Sequence, residues 1–235
     1  MAELGSRHRQ LALEVQLRDD ATLENFLANS QLQPLLLALQ RQLAPDGEPI
    51  VFIHGGKGSG KSHLLQSACH LAGQSALYLP LGELAAYAPG DVLGGVETLD
   101  LVCLDDVNCV LGNDDWELAL FDLLNRAREW GCRLVLAADG PPRTQRVSLP
   151  DLGSRLSWGV VFQLPPPDDE TRGAILQFRA QRRGLALPEE VASYIGHRAP
   201  RSLDRLLEVL DQLDRASLSE KRALSIPFVK RSLGW

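Results

Sequence analysis

The chain is poor in several features that would otherwise decide its class. Its four cysteines, Cys69, Cys103, Cys109 and Cys132, form no CxxC pair. That argues against a zinc site or a disulfide framework, and each lies in or beside an expected core element, as buried thiols in a reducing cytosol do. The five histidines show no metal-ligand spacing. No apolar run approaches the roughly 20 residues of a membrane helix, and no signal-peptide core opens the sequence. A soluble cytoplasmic protein without a membrane partner is expected. Basic residues are also in deficit, 24 Lys and Arg against 30 Asp and Glu for a net charge of −6, which excludes a broad nucleic-acid-gripping surface while leaving room for local basic patches.

What is present is ample core material, 45% apolar in 235 residues, enough for one large domain or a large one with a small companion. Its organising stretch is Ile50-Val51-Phe52-Ile53-His54 followed by Gly55-Gly56-Lys57-Gly58-Ser59-Gly60-Lys61-Ser62. A short apolar strand opens into a glycine-rich turn ending in Gly-Lys-Ser. Leu64, Leu65, Ala68 and Leu71 then recur at helical spacing. This is the phosphate-binding P-loop pattern. Glycines let successive backbone N–H groups face one anion, and the helix N-terminus adds partial positive charge. Lys61 is expected on the β- and γ-phosphates and the Ser62 hydroxyl on Mg²⁺, so the chain binds a nucleoside triphosphate or its diphosphate product.

Further strands are expected at Ala76–Leu79, Leu101–Leu104, Leu134–Ala137 and Val160–Phe162, alternating with helices. That alternation predicts a five-stranded parallel sheet in a three-layer α/β core. Residues 10–17 alternate as a short strand or extended arm, 18–29 carry a helix start, and Leu32–Leu43 read as a helix. Asp114-x-x-Glu117 is a capping box for a helix through Trp130, with Leu118, Leu120, Phe121 and Leu124 inward. Pro165-Pro166-Pro167 breaks the chain. Beyond it everything reads as helix, about 168–183, 188–197, 201–215 and 227–233. The resulting division is an arm over 1–17, an α/β core over 18–164 and a helical lid over 165–235.

Two carboxylates, Asp105 and Asp106, close the third strand, where open α/β sheets bind their ligands. Asp105 is placed to hold Mg²⁺ and Asp106 to position or deprotonate an attacking water. Asp139 ends the next strand and is a second candidate for orienting water, although strand ends are often Asp-Gly turns. Arg155 lies near a helix end, where it could serve a neighbour's nucleotide or simply be a surface cation. Arg201 follows Pro200 in the first turn of a helix, where a cation meets the positive end of the dipole. Such a local cost suggests a phosphate partner.

These residues together resemble AAA+ ATPases, and among them the DnaA-related family of replication initiators and Hda-type regulators. The resemblance rests on Gly55–Ser62 with His63-Leu64-Leu65-Gln66, on Leu104-Asp105-Asp106-Val107, on Asp139-Gly140-Pro141-Pro142 and on Ser154-Arg155-Leu156-Ser157-Trp158-Gly159. The regulatory branch is favoured by Gln10-Leu11-Ala12-Leu13-Glu14-Val15, which is similar to a clamp-binding peptide, by 210–217 and 226–230, and by the absence after Trp235 of a helix-turn-helix segment such as DnaA carries. The loop at 81–98 is too short for the initiator's extra helix.

The resemblance implies an adaptor that holds ADP, or ATP, with Mg²⁺ between core and lid. The cofactor would contact Gly55, Gly56, Lys57, Gly58, Ser59, Gly60, Lys61, Ser62, His63 and Arg201. It implies docking of Gln10, Leu11, Leu13 and Val15 on the sliding clamp, the β subunit of DNA polymerase III, and contact with DNA only through that clamp. Arg155 would then be an arginine finger in trans for hydrolysis of DnaA-bound ATP, which shuts off initiation. Many AAA+ machines place Glu where Asp106 stands, so little hydrolysis by the chain itself is expected. Monomer and homodimer both stay open. The competing readings are a stand-alone P-loop ATPase or kinase, and a DnaA-like initiator or helicase loader. If the arm reading holds, replacing Gln10 and Leu11 by Ala abolishes retention on immobilised clamp; undiminished retention would show that the arm is incidental.

Overall fold

The computed structural model describes residues 16–200 and 202–235. The positions Gln10, Leu11, Leu13, Val15 and Arg201, on which two of the expectations rest, lie outside the described residues. After α1 (Gln33–Gln40) come β1 (Ile50–His54), α2 (Lys61–Ala72) and β2 (Ala76–Pro80). The expected loop at 81–98 holds two short helices, α3 (Leu81–Leu84) and α4 (Pro89–Leu93). Next are β3 (Leu101–Asp105), α5 (Asp114–Trp130), β4 (Arg133–Ala138), α6 (Pro150–Leu156) and β5 (Val160–Gln163).

The five strands form one parallel sheet in the order β2-β3-β4-β1-β5. Alternate residues of the apolar strands face opposite sides. Ile50, Phe52, Val102, Leu104, Leu134 and Leu136 pack with Leu120, Leu123, Leu124 and Ala127 of α5. Val51, Ile53, Leu101, Cys103, Val135 and Ala137 pack with Leu64, Leu65 and Ala68 of α2 and Leu35 and Leu39 of α1. Both faces are covered, which is why these strands read as continuous apolar runs. Four further helices, α7 (Asp169–Arg182), α8 (Glu189–Arg198), α9 (Leu203–Glu220) and α10 (Ile226–Leu233), enclose a third cluster around Leu176, Ile195, Leu206, Leu210 and Val229. Among the described residues no helix is long and apolar enough to cross a membrane.

Several local expectations need correction. Residues 18–29 hold only a 3-10 turn at Leu23–Asn25, and the Thr22 side chain makes no cap. Long-range partners claim that backbone instead: the Thr22 carbonyl accepts from His63 Nε2, and the Asn25 carbonyl accepts from Arg179. Leu71 and Leu118 are exposed rather than inward, and Cys109 is an exposed thiol while the other three are buried.

The capping box is shifted by one residue. Asn113 is the N-cap of α5, its Oδ1 accepting from the N–H groups of Asp115 and Trp116. Glu117 is therefore freed from cap duty and turns inward, 1% exposed. Its carboxylate accepts from the backbone N–H groups of Gly112 (2.7 Å), Ser148 (3.0 Å) and Leu149 (2.6 Å). It thus clasps the chain that leads into α6. Burial pushes the Glu117 pKa up, but the three N–H donors outweigh it and hold the group below the ordinary value. The carboxylate is accordingly stabilising above the unfolded-state value, and that contribution fades as pH falls through the lower folded value. Glu117→Ala, which leaves three donors without their acceptor, should cost about 3 kcal/mol or more in denaturant unfolding at neutral pH. The deficit should shrink on acidification, and an equal deficit at pH 7 and at pH 3 would contradict the clasp.

Candidate functional site

The loop between β1 and α2 is shaped by what surrounds it. Gly58 and Gly60 have φ of +73° and +104°, a backbone that side-chain-bearing residues rarely adopt. A Cβ on Gly55 would stand 2.2 Å from the Leu164 carbonyl oxygen, whereas one on Gly56 would meet open space. Lys61, buried in the first turn of α2, donates from Nζ to the carbonyls of Gly55 (2.8 Å) and Gly56 (3.2 Å). Its ammonium is thus held over the concave side of the loop. The Ser59 hydroxyl is buried with no hydrogen-bond partner among the described residues. Lys57 and Ser62 face solvent. An orphaned hydroxyl, a captive lysine and an open glycine fit a phosphate group held by backbone amides.

His63 points elsewhere. Its Nε2–H donates to the Thr22 carbonyl at 2.8 Å, its ring lies 5.7 Å from that of Phe26, and burial lowers its pKa to about 4. It is a neutral strut in the wall of a neighbouring cleft rather than a cation on the loop.

Asp105 ends β3 at 1% exposure. One of its oxygens accepts from the Tyr78 hydroxyl at 2.7 Å and the other from the Asp106 N–H at 3.0 Å. Each carboxylate oxygen retains a lone pair, so the group can still serve a cation. Asp106 has φ of +52°, unusual for a residue with a side chain. Burial and the Asp105 charge raise its pKa, Lys61 and Lys57 oppose this, and Asp139 adds to it. The candidate acids and lysines are therefore close enough to feel one another. Asp139 is oriented from both ends, its N–H donating to Asn108 and its Oδ1 accepting from Gln145 Nε2. Tyr78, Asn108 and Gln145 were not among the expected site residues, because only the sheet register and the loop folds bring them here. Among the described residues no cluster of His, Cys, Asp and Glu forms a metal site by itself. A divalent ion would have to share Ser62 and Asp105 with phosphate oxygens, the pattern of Mg²⁺ in P-loop proteins.

Beside the loop lies a cleft of about 540 Å³, walled by Phe26, His63, Gly60, Leu164, Ile175 and Leu203 among others. Its floor is held by Arg179 of α7, 3% exposed, which pairs with Asp20 and donates to the carbonyl of Asn25. The start of α9 closes over the loop: the Leu203 N–H donates to the Gly58 carbonyl at 3.3 Å. A Cβ on Gly58 would fall 2.9 Å from the Ser202 Cα. The cleft is mostly apolar and adjoins the phosphate loop, as a base-binding site must be.

Arg155 is not brought to this site. It lies on α6, donates from Nε to Asn125 Oδ1 at 2.9 Å, and stacks 3.8 Å above the Trp158 ring. Trp158 itself borders a smaller cavity with Pro49, Ile50 and Leu134, at the starting ends of β1 and β4. The guanidinium therefore sits toward the opposite edge of the sheet from the glycine loop. No carboxylate among the described residues pairs with it.

Comparison with known proteins agrees with this arrangement. The family model "Hda, lid domain" matches residues 169–233, which are the four helices α7–α10. Domain III of the Thermotoga maritima replication initiation protein DnaA is 26% identical, with 93% of this chain and 98% of that chain covered and a TM-score of 0.78. AMPPCP-bound DnaA from Aquifex aeolicus is 23% identical over 87% of this chain and 71% of that one, with a TM-score of 0.70. The Thermotoga maritima RuvB Holliday junction branch migration motor shares the fold at 14% identity, covering 91% and 71%, with a TM-score of 0.69. With a parallel sheet in the order β2-β3-β4-β1-β5, a P-loop pattern after β1 and four C-terminal helices that match the Hda lid model, the chain has an AAA+ fold similar to that of DnaA domain III.

Proposed function

We propose that the protein is a negative regulator of chromosomal replication initiation, a nucleotide-holding adaptor that stimulates hydrolysis of ATP bound to DnaA. In this reading residues 18–164 form the nucleotide-binding core, 165–235 the lid, and 1–17 an arm that docks on the DNA-loaded sliding clamp. ADP or ATP lies with its phosphates in the glycine loop and its base in the cleft between core and lid. Ser62 and Asp105 hold Mg²⁺, which would neutralise phosphate charge. Lys61 leaves the Gly55 and Gly56 carbonyls for the phosphates. Asp106 and Asp139 orient water there, and the short Asp106 side chain keeps turnover by the chain itself low. The DnaA bound to AMPPCP and single-stranded DNA among the similar structures, 24% identical, shows what this fold can hold in that protein.

The observation that carries the reading is the position of Arg155. A cation toward the far edge of the sheet from its own glycine loop, without a carboxylate partner among the described residues, is placed to reach a triphosphate in a second polypeptide. Its Nε is occupied by Asn125 and its plane is supported by Trp158, so the terminal nitrogens are presented without a search through rotamers. An arginine finger so placed stabilises transition-state charge and is worth roughly 10³–10⁵ in rate in other phosphoryl-transfer systems. The clamp contact raises the effective concentration of that arginine near DnaA on DNA.

The test is turnover of DnaA-bound ATP with and without this protein, clamp and DNA. Arg155→Ala should abolish the stimulation, a loss of roughly 10³-fold, and leave clamp retention and nucleotide binding intact; undiminished stimulation would remove the finger assignment. Lys61→Ala should weaken ADP binding and remove the rise in melting temperature that ADP confers. Steady phosphate release by the isolated protein, lost in Lys61→Ala, would instead favour a stand-alone ATPase.

A further inference from the structure

Arg172 lies on α7, outside the loop, the acids and the cleft described above. It is one of the most deeply buried charged residues in the described chain, 2% exposed. Its guanidinium does not seek a phosphate or a fully buried partner. One terminal nitrogen donates to two successive carbonyls, those of Ala199 (2.8 Å) and Pro200 (2.6 Å). The other lies 3.5 Å from the half-exposed Asp169 carboxylate, and Nε has no partner among the described residues. Burying a cation with one donor unsatisfied is costly. A hydrophobic residue of similar length would fill the space without that cost, so the retained charge points to a directional role.

The direction is given by what the two carbonyls precede. Ala199 and Pro200 end the connection from α8, and two residues later the chain enters α9 at Ser202 and Leu203. There the Leu203 N–H donates to the Gly58 carbonyl, and Ser202 sits so close that Gly58 has no room for a Cβ. The α8–α9 connection is thus fixed on both sides, by Arg172 to the lid and by Gly58 to the phosphate loop. The loop has φ of +73° at Gly58, a conformation with little steric support of its own, and the entering α9 braces it from outside. We infer that Arg172 is a positioning residue: by holding the Ala199 and Pro200 carbonyls it sets the start of α9 against Gly58, so that the lid fixes the shape of the phosphate loop. The inference rests on the reading of that loop as the nucleotide site.

Amide hydrogen exchange at Leu203, together with ADP titration of the full chain, tests it. In Arg172→Met the Leu203 amide should exchange about tenfold faster or more, because the donor loses its fixed distance to Gly58, and ADP affinity should fall by about tenfold, the loss of one hydrogen bond to a charged group. Leu210, two turns into α9, should keep its protection. Arg172→Lys, which retains the charge and folds more readily, should restore part of both effects. Unchanged exchange at Leu203 in both variants would overturn the inference. So would uniform loss of protection through α8 and α9, which would reduce Arg172 to a packing role. Lys61→Ala separates the two claims: if it leaves ADP affinity untouched, the nucleotide reading fails, while exchange at Leu203 still decides the role of Arg172.

Discussion

The parallel pairing of β1 between β4 and β5, with β3 beyond β4, is the constraint on which the molecule depends. It aligns the carboxyl ends of three apolar strands, with His54 opposite Ala138 and Leu104 opposite Leu136. The segments that leave β1, β3 and β4 therefore emerge on one edge and bring Lys61, Asp105, Asp106 and Asp139 together. The same pairing places the segment entering β5 at the other edge, where Gly159 passes because it has no side chain to collide with the Ile50 carbonyl. Arg155 and Trp158 precede that glycine. One topological fact thus separates the molecule into a pole that carries the glycine loop and the acids and a pole that presents Arg155, which pairs with no carboxylate among the described residues.

The pole with the glycine loop and the acids is assembled at local expense. Three carboxylates share a small volume, and burial together with the charge of Asp105 makes the ionised form of Asp106 harder to keep. Asp106 also occupies a left-handed backbone conformation that is costly for a non-glycine residue, about 1 kcal/mol or more. Such costs persist where surrounding structure over-determines them, and here it does. The Tyr78 hydroxyl, whose ionisation is suppressed by burial and by the adjacent carboxylate, is a permanent donor to Asp105. The Asp106 amide donates to that same carboxylate, so the strained turn is closed by the group it follows.

How much of this was legible in the sequence depends on the reach of each interaction. The strands, the glycine loop and the acids at the end of β3 are local patterns, and their apolar runs and spacing report them directly. The helix start expected after Arg18 failed because its backbone acceptors are taken by His63 and Arg179, dozens of residues away. The capping box failed by a single position, since Asn113 already caps the amides of Asp115 and Trp116 and Glu117 has three better-placed donors. Tyr78, Asn108, Arg172 and Arg179 carry no local signal at all. A tyrosine in a strand and an arginine in a helix read as ordinary composition until the register and the lid packing supply their partners.

The two poles also explain how one small chain can serve two contacts in the proposed role. Arg18, next to the expected arm, is held by two hydrogen bonds, its N–H donating to Gln66 Oε1 and its carbonyl accepting from His70, and its guanidinium lies 3.8 Å from Asp204 at the start of α9. Residue 18 is therefore seated beside the cleft, on the α2 face of the sheet. Arg155 stands over Phe121 of α5, on the opposite face and toward the opposite edge. In the proposed role, a partner met on the α2 face beside Arg18 and a partner addressed by Arg155 would meet different surfaces. In that role, the nearer an arm's attachment lies to a fixed point of the core, the smaller the volume Arg155 would explore, and the higher its effective concentration at the second partner.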